Sequence, residues 1–468
     1  MTSPIYLDNN ATTQPLSAVV EAMREALSGE WANPSSIHRL GTAARRRVEL
    51  ARESVARLLG CQERELVFCS GGSESVGLAL FGTWETLAAA GGRRRVLLTS
   101  RLEHSAVRES AARWTRLGGE VLWAEHRPDG VVDCDWLAET LRLRGSDIAL
   151  VSLMWVNNET GVIAPIERIG ALCRAADVRF HVDATQCVGR WPIDLSAMQV
   201  DLLSFAAHKF HGPKGIGGLY LRRGVRVERQ VAGGPQERDR RGGTENVPGI
   251  VGMGVAADAA RRWLAAAVLD GRPGDAPHAA STATGRPGSS SASAPSSASP
   301  SPSPSPSAAS LGGQDIAGGS PASAHARDLH PDAGVRSATP DATLAELQDR
   351  RDRFERILLE RCPGAVVNAA AAPRLWSTSN VGFPRLEAEA ILLLLSERGV
   401  CASAGAACSS GSLDPSPVLL AMGIPEPIAH GSIRFSFARS TDPAEIDAAL
   451  DIIPSCIARL AKSSSSVL

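Results

Sequence analysis

From about Glu65 to Tyr220, short apolar runs alternate with stretches of helical pattern, and this alternation constrains the fold more than any other feature. The runs read ELVFCS, RRVLLTS, VLWAE, DIALVSLMW, VRFHVDA, VDLLSFAAHK and GGLYL. Such alternation is typical of stacked βαβ units, so it predicts an α/β fold whose mostly parallel sheet is flanked by helices. In such sheets, ligands bind beyond the carboxyl ends of the strands. The residues that follow each run are therefore the first candidates for a functional site.

The organisation of the rest of the chain follows from its length and from one change in composition. At 468 residues the chain has room for two domains and an additional segment. Residues 271–340 are rich in Ser, Pro, Ala and Gly, a composition that cannot offset chain entropy by burial. We predict a disordered insertion there, either a tolerated surface insertion or a phosphorylated or partner-binding linker. It would separate a large domain (16–265) from a smaller α+β domain (341–468), against which residues 1–15 pack.

Charge and cysteine usage argue against several classes of protein. The 49 Lys+Arg and 50 Asp+Glu residues give a net charge of −1, so no global basic field favours nucleic acid. The nine cysteines are scattered without a CxxC pair, which argues against a disulfide framework or a closed zinc site. The first residues lack the features of a secretory signal, and no apolar run approaches the roughly 18 residues that span a bilayer. We expect a reduced, cytoplasmic protein without a metal, a nucleic-acid partner or a membrane partner.

Polar residues follow several of the apolar runs. Gly72 and Ser73 precede a helical pattern, where the helix N-terminus would offer free N–H groups to a phosphate; a Ser cap after a tight turn would give the same letters. Asp183 ends a strongly apolar strand, so its carboxylate needs a cationic partner, either an arginine or the protonated ring nitrogen of a cofactor. His104 and Asn158 also follow apolar runs, and each alone is compatible with an ordinary turn residue.

Lys209 gives these separate signals a common meaning. It follows His208 at the end of another apolar run and precedes a glycine-rich segment, HGPKGIGG. A desolvated lysine has a lowered pKa and can form a Schiff base with an aldehyde. Together with Asp183 and the turn at Gly72, it matches the three needs of pyridoxal phosphate: an amine for the aldehyde, a counter-ion for the pyridinium ring and an anchor for the phosphate.

The C-terminal part carries two further candidates. Cys408 stands in a run of small residues, AGAACSSGS, with little to pack against it, which predicts a mobile and accessible thiol rather than a buried structural one. Arg434 lies in a short strand-like segment, SIRFSFAR, where its guanidinium is suited to bidentate capture of a carboxylate. An ordinary surface salt bridge is the alternative for Arg434.

With these residues in view, the sequence resembles the class V aminotransferase family of pyridoxal-phosphate enzymes, and within it the cysteine desulfurases of the NifS/IscS type, closest to the nitrogen-fixation branch. The resemblance spans nearly the whole chain outside the Ser/Pro insertion and implies fold type I of the pyridoxal-phosphate transferases. It rests on these blocks: YLDNNATT, NPSSIH, SGGSES, EHSAV, NNETG, HVDATQ, AHKFHGPKG, QERDRRGGTEN, CSSGSLDPSPVL and GSIRFS.

The resemblance implies a role for each candidate residue. Lys209 would bind the cofactor covalently, Asp183 would pair with its ring nitrogen, and His104 would stack on the ring and move protons. Asn158 and Gln186 would contact the ring substituents, and Asn158 would also lie near the substrate. Arg434 would take the substrate carboxylate, and Cys408 would be the nucleophile. The phosphate would be held by four residues, the last reaching over from a second subunit of a homodimer: Gly72, Ser73, His208 and Thr244.

The activity that the resemblance implies is conversion of L-cysteine to L-alanine. The sulfur would be held as a persulfide on Cys408 and passed to a scaffold protein for iron–sulfur clusters, with nitrogenase maturation as one such pathway. Selenocysteine lyase, or another class V reaction such as transamination, is the alternative. Ala206 stands where the family usually has a serine, so we expect somewhat weaker retention of the cofactor.

Overall fold

The computed structural model describes residues 4–269, 342–405 and 414–465. All of them belong to one compact unit of the chain. The insertion predicted at 271–340 and the candidate nucleophile Cys408 lie outside the described residues. The boundaries between a large domain at 16–265 and a smaller one at 341–468 stay a prediction.

The central element is a seven-stranded sheet whose strands correspond to the seven apolar runs. The strands in this sheet are β2 (Leu66–Cys69), β3 (Val96–Thr99), β4 (Glu120–Trp123), β5 (Ile148–Met154), β6 (Phe180–Asp183), β7 (Leu202–Ala206) and β8 (Gly217–Leu221). Their order across the sheet is β2-β8-β7-β6-β5-β3-β4, and only β8 runs antiparallel to its neighbours. The predicted mostly parallel α/β sheet is therefore confirmed.

Both faces of this sheet are covered. Every residue of β5 is buried, and alternate residues of one strand enter different cores: Leu150 packs in one cluster and Val151 in the other. This is the pattern expected when successive side chains point to opposite faces of a strand that is covered on both sides.

Helices connect the strands and cover the sheet. In the N-terminal part they are α1 (Ser17–Gly29), α2 (Arg39–Leu59), α3 (Gly72–Ala89), α4 (Ser105–Arg116), α5 (Cys134–Arg144), α6 (Ile166–Ala175), α7 (Gln236–Asp239) and α8 (Val247–Leu269). In the part that begins at residue 342 they are α9 (Leu344–Arg361), α10 (Ala388–Glu397), α11 (Pro417–Ala421), α12 (Glu426–Ala429) and α13 (Pro443–Ser465). None of the described helices combines the length and the apolar character needed to cross a bilayer.

The described chain resumes at residue 342 and leads into the amphipathic helix α9. α9 begins with a capping box in which the Thr343 hydroxyl accepts the Glu346 N–H at 3.1 Å and the Glu346 carboxylate accepts the Thr343 N–H at 2.8 Å. Such a reciprocal cap satisfies two amide groups that a helix start otherwise leaves free. One face of α9 buries Leu347, Phe354 and Leu358.

Two smaller sheets hold the C-terminal part and the first residues of the chain together. β9 (Val366–Val367), β10 (Thr378–Gly382) and β12 (Ser432–Ser436) form an antiparallel sheet. β1 (Ile5–Tyr6) pairs in parallel with β11 (Val400–Cys401), and Asp8 then bridges to Ser436. These pairings bring the N-terminal residues next to β12, which carries Arg434.

Candidate active site

A cavity of about 740 Å³ opens beyond the carboxyl ends of β5, β6 and β7. Strand pairing places the last residues of β5 and β6, Met154 and Asp183, opposite each other, and Asp183 lies opposite Ser204 of β7. The cavity is therefore where ligands bind in a parallel sheet. Nine of the residues named from the sequence line it: Gly72, Ser73, His104, Asn158, Asp183, Gln186, His208, Lys209 and Arg434.

Lys209 lies in a short 3₁₀ turn directly after β7, and its amine faces the N-terminal segment. Its Nζ donates to the carbonyl oxygens of Asn10 at 2.6 Å and Ala11 at 3.0 Å. Burial, followed by the charges of Arg190 and Arg434, lowers the pKa of Lys209 to about 7. A lysine in this state carries a substantial fraction of neutral amine at pH 7, the form that attacks an aldehyde.

Asp183 is the last residue of β6 and is only 6% exposed. Its Oδ1 accepts the N–H of Thr185 at 3.0 Å, and no described Lys, Arg or His forms an ion pair with it. The arginine that the sequence left open as a partner is thus absent among the described residues. A buried carboxylate without a cation favours an incoming protonated group, such as a ring nitrogen.

The start of α3 forms a cradle for an anion. The helix is capped by Gly71, and no described side chain satisfies its first amide groups, so the alternative of a Ser cap is wrong. A Cβ atom placed on Gly72 would lie 3.3 Å from Oγ1 of Thr185 and 3.8 Å from Cβ of Ala206, so both residues border the cradle. Free N–H groups at a helix N-terminus bind phosphate, and the Thr185 hydroxyl supplies a donor that Ala206 lacks.

Two histidines border the cavity in neutral form. His104 caps α4, where its Nδ1 accepts the N–H of Ala106 at 3.1 Å, so the proton of the neutral ring is on Nε2. Burial lowers the pKa of His104 and brings the pKa of His208 to about 4. Nδ1 of His208 lies 3.2 Å from Oγ1 of Thr12. Asn158 lies nearby with a buried side-chain oxygen that has no described hydrogen-bond partner.

Arg434 lies on the opposite side of the cavity and is already paired. It is 2% exposed, and its Nη2 donates to the carboxylate of Asp8 at 2.8 Å. Its Nη1 donates to the carbonyl oxygens of Asn158 at 3.0 Å and Gly405 at 3.1 Å, while its Nε has no described partner. The alternative of a surface salt bridge is wrong, because the guanidinium is buried within the site.

Sequence reasoning missed three residues that organise the cavity. Asp8 pairs with Arg434, and Asn10 accepts hydrogen bonds from Lys209, Gln186 and Arg190. Arg190 is buried and donates only to neutral oxygens. The available signals were two amides after the first short strand, in YLDNN, and one arginine inside the apolar segment CVGRW.

Two residues that the sequence predicts to act at the site, Thr244 and Cys408, are not found in the described lining of this cavity. Thr244 is exposed and does not line the cavity, and its contribution to the phosphate site of a second subunit stays a prediction. Cys408 lies outside the described residues, whose ends at Gly405 and Asp414 both line the cavity.

The groups present match an aldehyde cofactor with a ring nitrogen and a phosphate. Lys209 supplies the amine, Asp183 a buried carboxylate at the end of β6, and the start of α3 the free amide donors. The orphan oxygen of Asn158 adds an acceptor for a polar ring substituent. Opposite them, Arg434 provides a buried guanidinium for a carboxylate.

Comparison with known proteins agrees with this chemistry. The class V aminotransferase family matches residues 5–271 and 342–449. "Cysteine desulfurase 2" of Trichormus variabilis is 38% identical over 458 residues, covering 98% of this chain and 94% of that protein. "Cysteine desulfurase IscS" of Methanosarcina thermophila is 34% identical over 456 residues, covering 97% and 92%.

Solved structures show the same similarity. A structure described as "NIFS-LIKE PROTEIN" matches with a TM-score of 0.74 and 29% identity, covering 98% of this chain and 100% of that one. "SspA in complex with cysteine" matches with a TM-score of 0.66 and 28% identity, covering 93% and 99%.

Proposed function

This chain belongs to the class V aminotransferase family, and from that premise we propose that it is a cysteine desulfurase, which converts L-cysteine to L-alanine with pyridoxal 5′-phosphate. The observation that carries the proposal is the placement of the Lys209 amine and the unpaired carboxylate of Asp183 in one cavity with Arg434. Relatives that are cysteine desulfurases over nearly the full length of the chain specify the substrate.

Each residue at the sheet edge has a defined task in this reaction. Lys209 binds the cofactor covalently, and Asp183 holds a proton on the ring nitrogen. The cofactor, when bound, supplies an electron sink for the substrate Cα. Gly72, Ser73 and His208 hold the phosphate, and Asn158 and Gln186 contact the ring substituents. Neutral His104, with its proton on Nε2, would contact the ring and move protons.

Arg434 and Cys408 handle the substrate. Arg434 exchanges the carboxylate of Asp8 for that of L-cysteine, which fixes the orientation of the substrate. The Cys408 thiolate then attacks the substrate sulfur, so a sulfur–sulfur bond forms while the Cβ–sulfur bond breaks. The electron pair of the broken bond takes up a proton, which leaves alanine and a persulfide on Cys408. An external thiol reduces the persulfide, releases sulfide and regenerates Cys408.

The experiment that tests this function measures alanine and sulfide release from L-cysteine in the presence of a thiol reductant. We expect Lys209→Ala to lose both turnover and the visible absorption of the bound cofactor. Cys408→Ala should lose turnover and keep the absorption. Cys401→Ala is the matched control, because Cys401 lies in β11 outside the lining of the cavity, and it should keep both.

If the wild type binds the cofactor but releases neither product, the desulfurase function is wrong. Selenocysteine and amino-group acceptors would then be assayed as substrates.

The active form in this proposal is a homodimer, in which Thr244 of the partner subunit completes the phosphate site. Support comes from large apolar side chains left exposed around α1 and α2, with Ile37 96% and Trp31 70% exposed. Light scattering should show a dimer for the wild type and dissociation for Ile37→Asp. Leu393→Asp is the control, because Leu393 is 70% exposed but lies on α10.

The proposal includes a destination for the sulfur. A scaffold protein for iron–sulfur clusters in the cytoplasm would take it from Cys408, and nitrogenase maturation is one such pathway. Enzyme loaded with ³⁵S-cysteine should transfer label to such a scaffold without added reductant. Transfer that persists in Cys408→Ala would contradict this route.

A further inference from the structure

Arg190 is a buried cation that touches the Lys209 site without being neutralised. It is 5% exposed, and no described acidic residue forms an ion pair with it. Its four hydrogen bonds go to neutral oxygens: Lys209 O at 3.2 Å, Asn10 Oδ1 at 2.6 Å, Gln186 Oε1 at 2.8 Å and Asn9 O at 2.8 Å. A buried charge without a counter-ion is costly, so a fold that needed only hydrogen bonds here would be served better by a neutral side chain.

The geometry ties this cation to the reactive amine. Asn10 holds both groups, because its main-chain oxygen accepts Lys209 Nζ at 2.6 Å and its side-chain oxygen accepts Arg190 Nη1 at 2.6 Å. Arg190 also holds the main chain of Lys209 through its Nε. Two positive charges therefore share one residue, with no carboxylate between them among the described residues.

The other charged groups around Lys209 add no net positive charge. Glu103 and Glu159 also line the cavity, and burial raises the pKa of each carboxyl. Arg434 on β12 is paired with Asp8 of the N-terminal segment, and Asp183 on β6 faces the amine with a negative charge. His208 beside the lysine and His104 on α4 are neutral near pH 7, because burial lowers the pKa of each. Burial lowers the pKa of Arg190 only to about 10, so its charge persists at pH 7.

We propose that Arg190 is a positioning residue for cofactor capture, whose uncompensated charge keeps the Lys209 amine neutral and therefore nucleophilic. An amine attacks an aldehyde through its lone pair; the carbon–nitrogen double bond forms, and the carbonyl oxygen leaves as water. A protonated lysine has no lone pair to offer. The inference rests on the proposed function, because it assigns Lys209 the task of binding an aldehyde.

The direction of the pKa shifts agrees with this role. After burial, Arg190 is the largest cause of the lowered pKa of Lys209, ahead of Arg434. The same guanidinium fixes the carboxamide of Gln186, whose oxygen accepts from Arg190 and whose Nε2 donates to Asn10 O at 3.0 Å. Arg190 therefore has two roles: it orients Gln186, which contacts the cofactor ring, and it keeps the Lys209 amine neutral.

The test is trace acetylation of full-length, cofactor-free protein with acetic anhydride between pH 5 and 10, read by mass spectrometry. The chain has only three lysines, and the exposed Lys214 serves as an internal standard. In the wild type, Lys209 labelling should rise through about pH 7. In Arg190→Gln its labelling at pH 6.5, relative to Lys214, should fall about tenfold.

Arg190→Lys keeps the charge and should keep the wild-type profile. Arg351→Gln is the control for removing a buried arginine that donates to main-chain oxygens, and its Lys209 profile should not move. If Arg190→Gln does not fold, Gln186→Glu places a carboxylate against Arg190 and should reduce Lys209 labelling in the same direction. An unchanged profile in Arg190→Gln, or in Gln186→Glu where that variant is used, would overturn the proposal.

Borohydride trapping of pyridoxal phosphate on wild-type protein separates this inference from the proposed function. Trapping at Lys209 together with an unchanged profile in Arg190→Gln refutes only the role of Arg190. No trapping at Lys209 in the wild type refutes the function itself and, with it, the inference.

Discussion

The two sides of the active-site cavity differ in whether their buried charges are paired. At the edge of the large sheet, Asp183 and Arg190 are buried without ion-pair partners among the described residues. Across the cavity, Arg434 is equally buried but is paired with Asp8 at 2.8 Å. At the sheet edge the buried charges of Asp183 and Arg190 thus have no counter-ion. On the side formed by the N-terminal segment and β12, the buried charge of Arg434 is neutralised by Asp8.

This difference indicates which ligands stay and which ones exchange. A lone buried charge raises the free energy of the empty protein, so a ligand that completes it is held tightly. A paired charge costs less in the empty protein, but its partner must be displaced by each incoming ligand. The first arrangement suits a resident cofactor, and the second suits a substrate that arrives and leaves in every cycle.

The largest effect is expected for Asp183→Asn. Turnover should fall on the order of 1000-fold, because no carboxylate would then hold the ring proton. The thermal midpoint of the cofactor-free protein should not fall, because the lost charge has no cationic partner in the described structure and asparagine can still accept the Thr185 N–H. Alanine formation and calorimetry measure the two quantities.

Asp201→Asn is the matched control for Asp183→Asn. Asp201 is 8% exposed and lies near Arg174 at 3.4 Å and Arg222 at 3.5 Å. It should show the opposite result, a lower thermal midpoint with turnover retained. If the thermal midpoint of Asp183→Asn falls as much as that of Asp201→Asn, the Asp183 carboxylate stabilises the fold as a paired charge does, and the proposed difference between unpaired and paired charges is wrong.

Arg434→Gln should reduce kcat/KM for L-cysteine on the order of 100-fold, because it removes the carboxylate partner of the substrate. The thermal midpoint should also fall, since Asp8 loses its cation. Cysteamine, which has no carboxylate, should bind both proteins alike when followed by the visible absorption of the bound cofactor. Equal losses for both ligands would show that Arg434 supports the fold and does not recognise the carboxylate.

The sequence predicted that Lys209 and Asp183 lie at the edge of the sheet, but it did not predict which charges around them are paired. Lys209 and Asp183 directly follow apolar runs, so local pattern places them at the same edge. The contacts that set their environment join distant parts of the chain: Arg190 and Asn10 are 180 positions apart, and Arg434 and Asp8 are 426 apart. Only the folded chain shows which charges are paired.

Asp8→Asn should lower KM for L-cysteine about threefold, because the substrate would no longer compete with a carboxylate for Arg434. Asparagine keeps a hydrogen-bond acceptor for the guanidinium, so kcat should change little. Steady-state kinetics at fixed pH measure both constants. A higher KM would mean that Asp8 orients Arg434 for the substrate, and the paired side of the cavity would then be preorganised rather than exchangeable.

The smallest effect concerns Glu103, a third buried titratable group at the sheet edge without an ion-pair partner among the described residues. It is 1% exposed; its Oε1 accepts the Met154 N–H at 2.8 Å, and its Oε2 has no described partner. Burial raises the pKa of Glu103 well above its ordinary value. The folded protein therefore binds a proton that the unfolded chain releases above about pH 4.3, and stability falls as pH rises from there towards the raised pKa.

Glu103→Gln imitates the protonated carboxyl and should remove this pH dependence. Its thermal midpoint should exceed that of the wild type by about 3 °C at pH 8, with little difference at pH 5. Glu85→Gln, on an exposed position of α3, is the control and should show no pH-dependent gain. A gain of equal size at both pH values would mean that Glu103 is costly because of its packing and not because of its ionisation. Asp183 and Arg190 would then be the two groups to which the comparison of unpaired and paired charges applies.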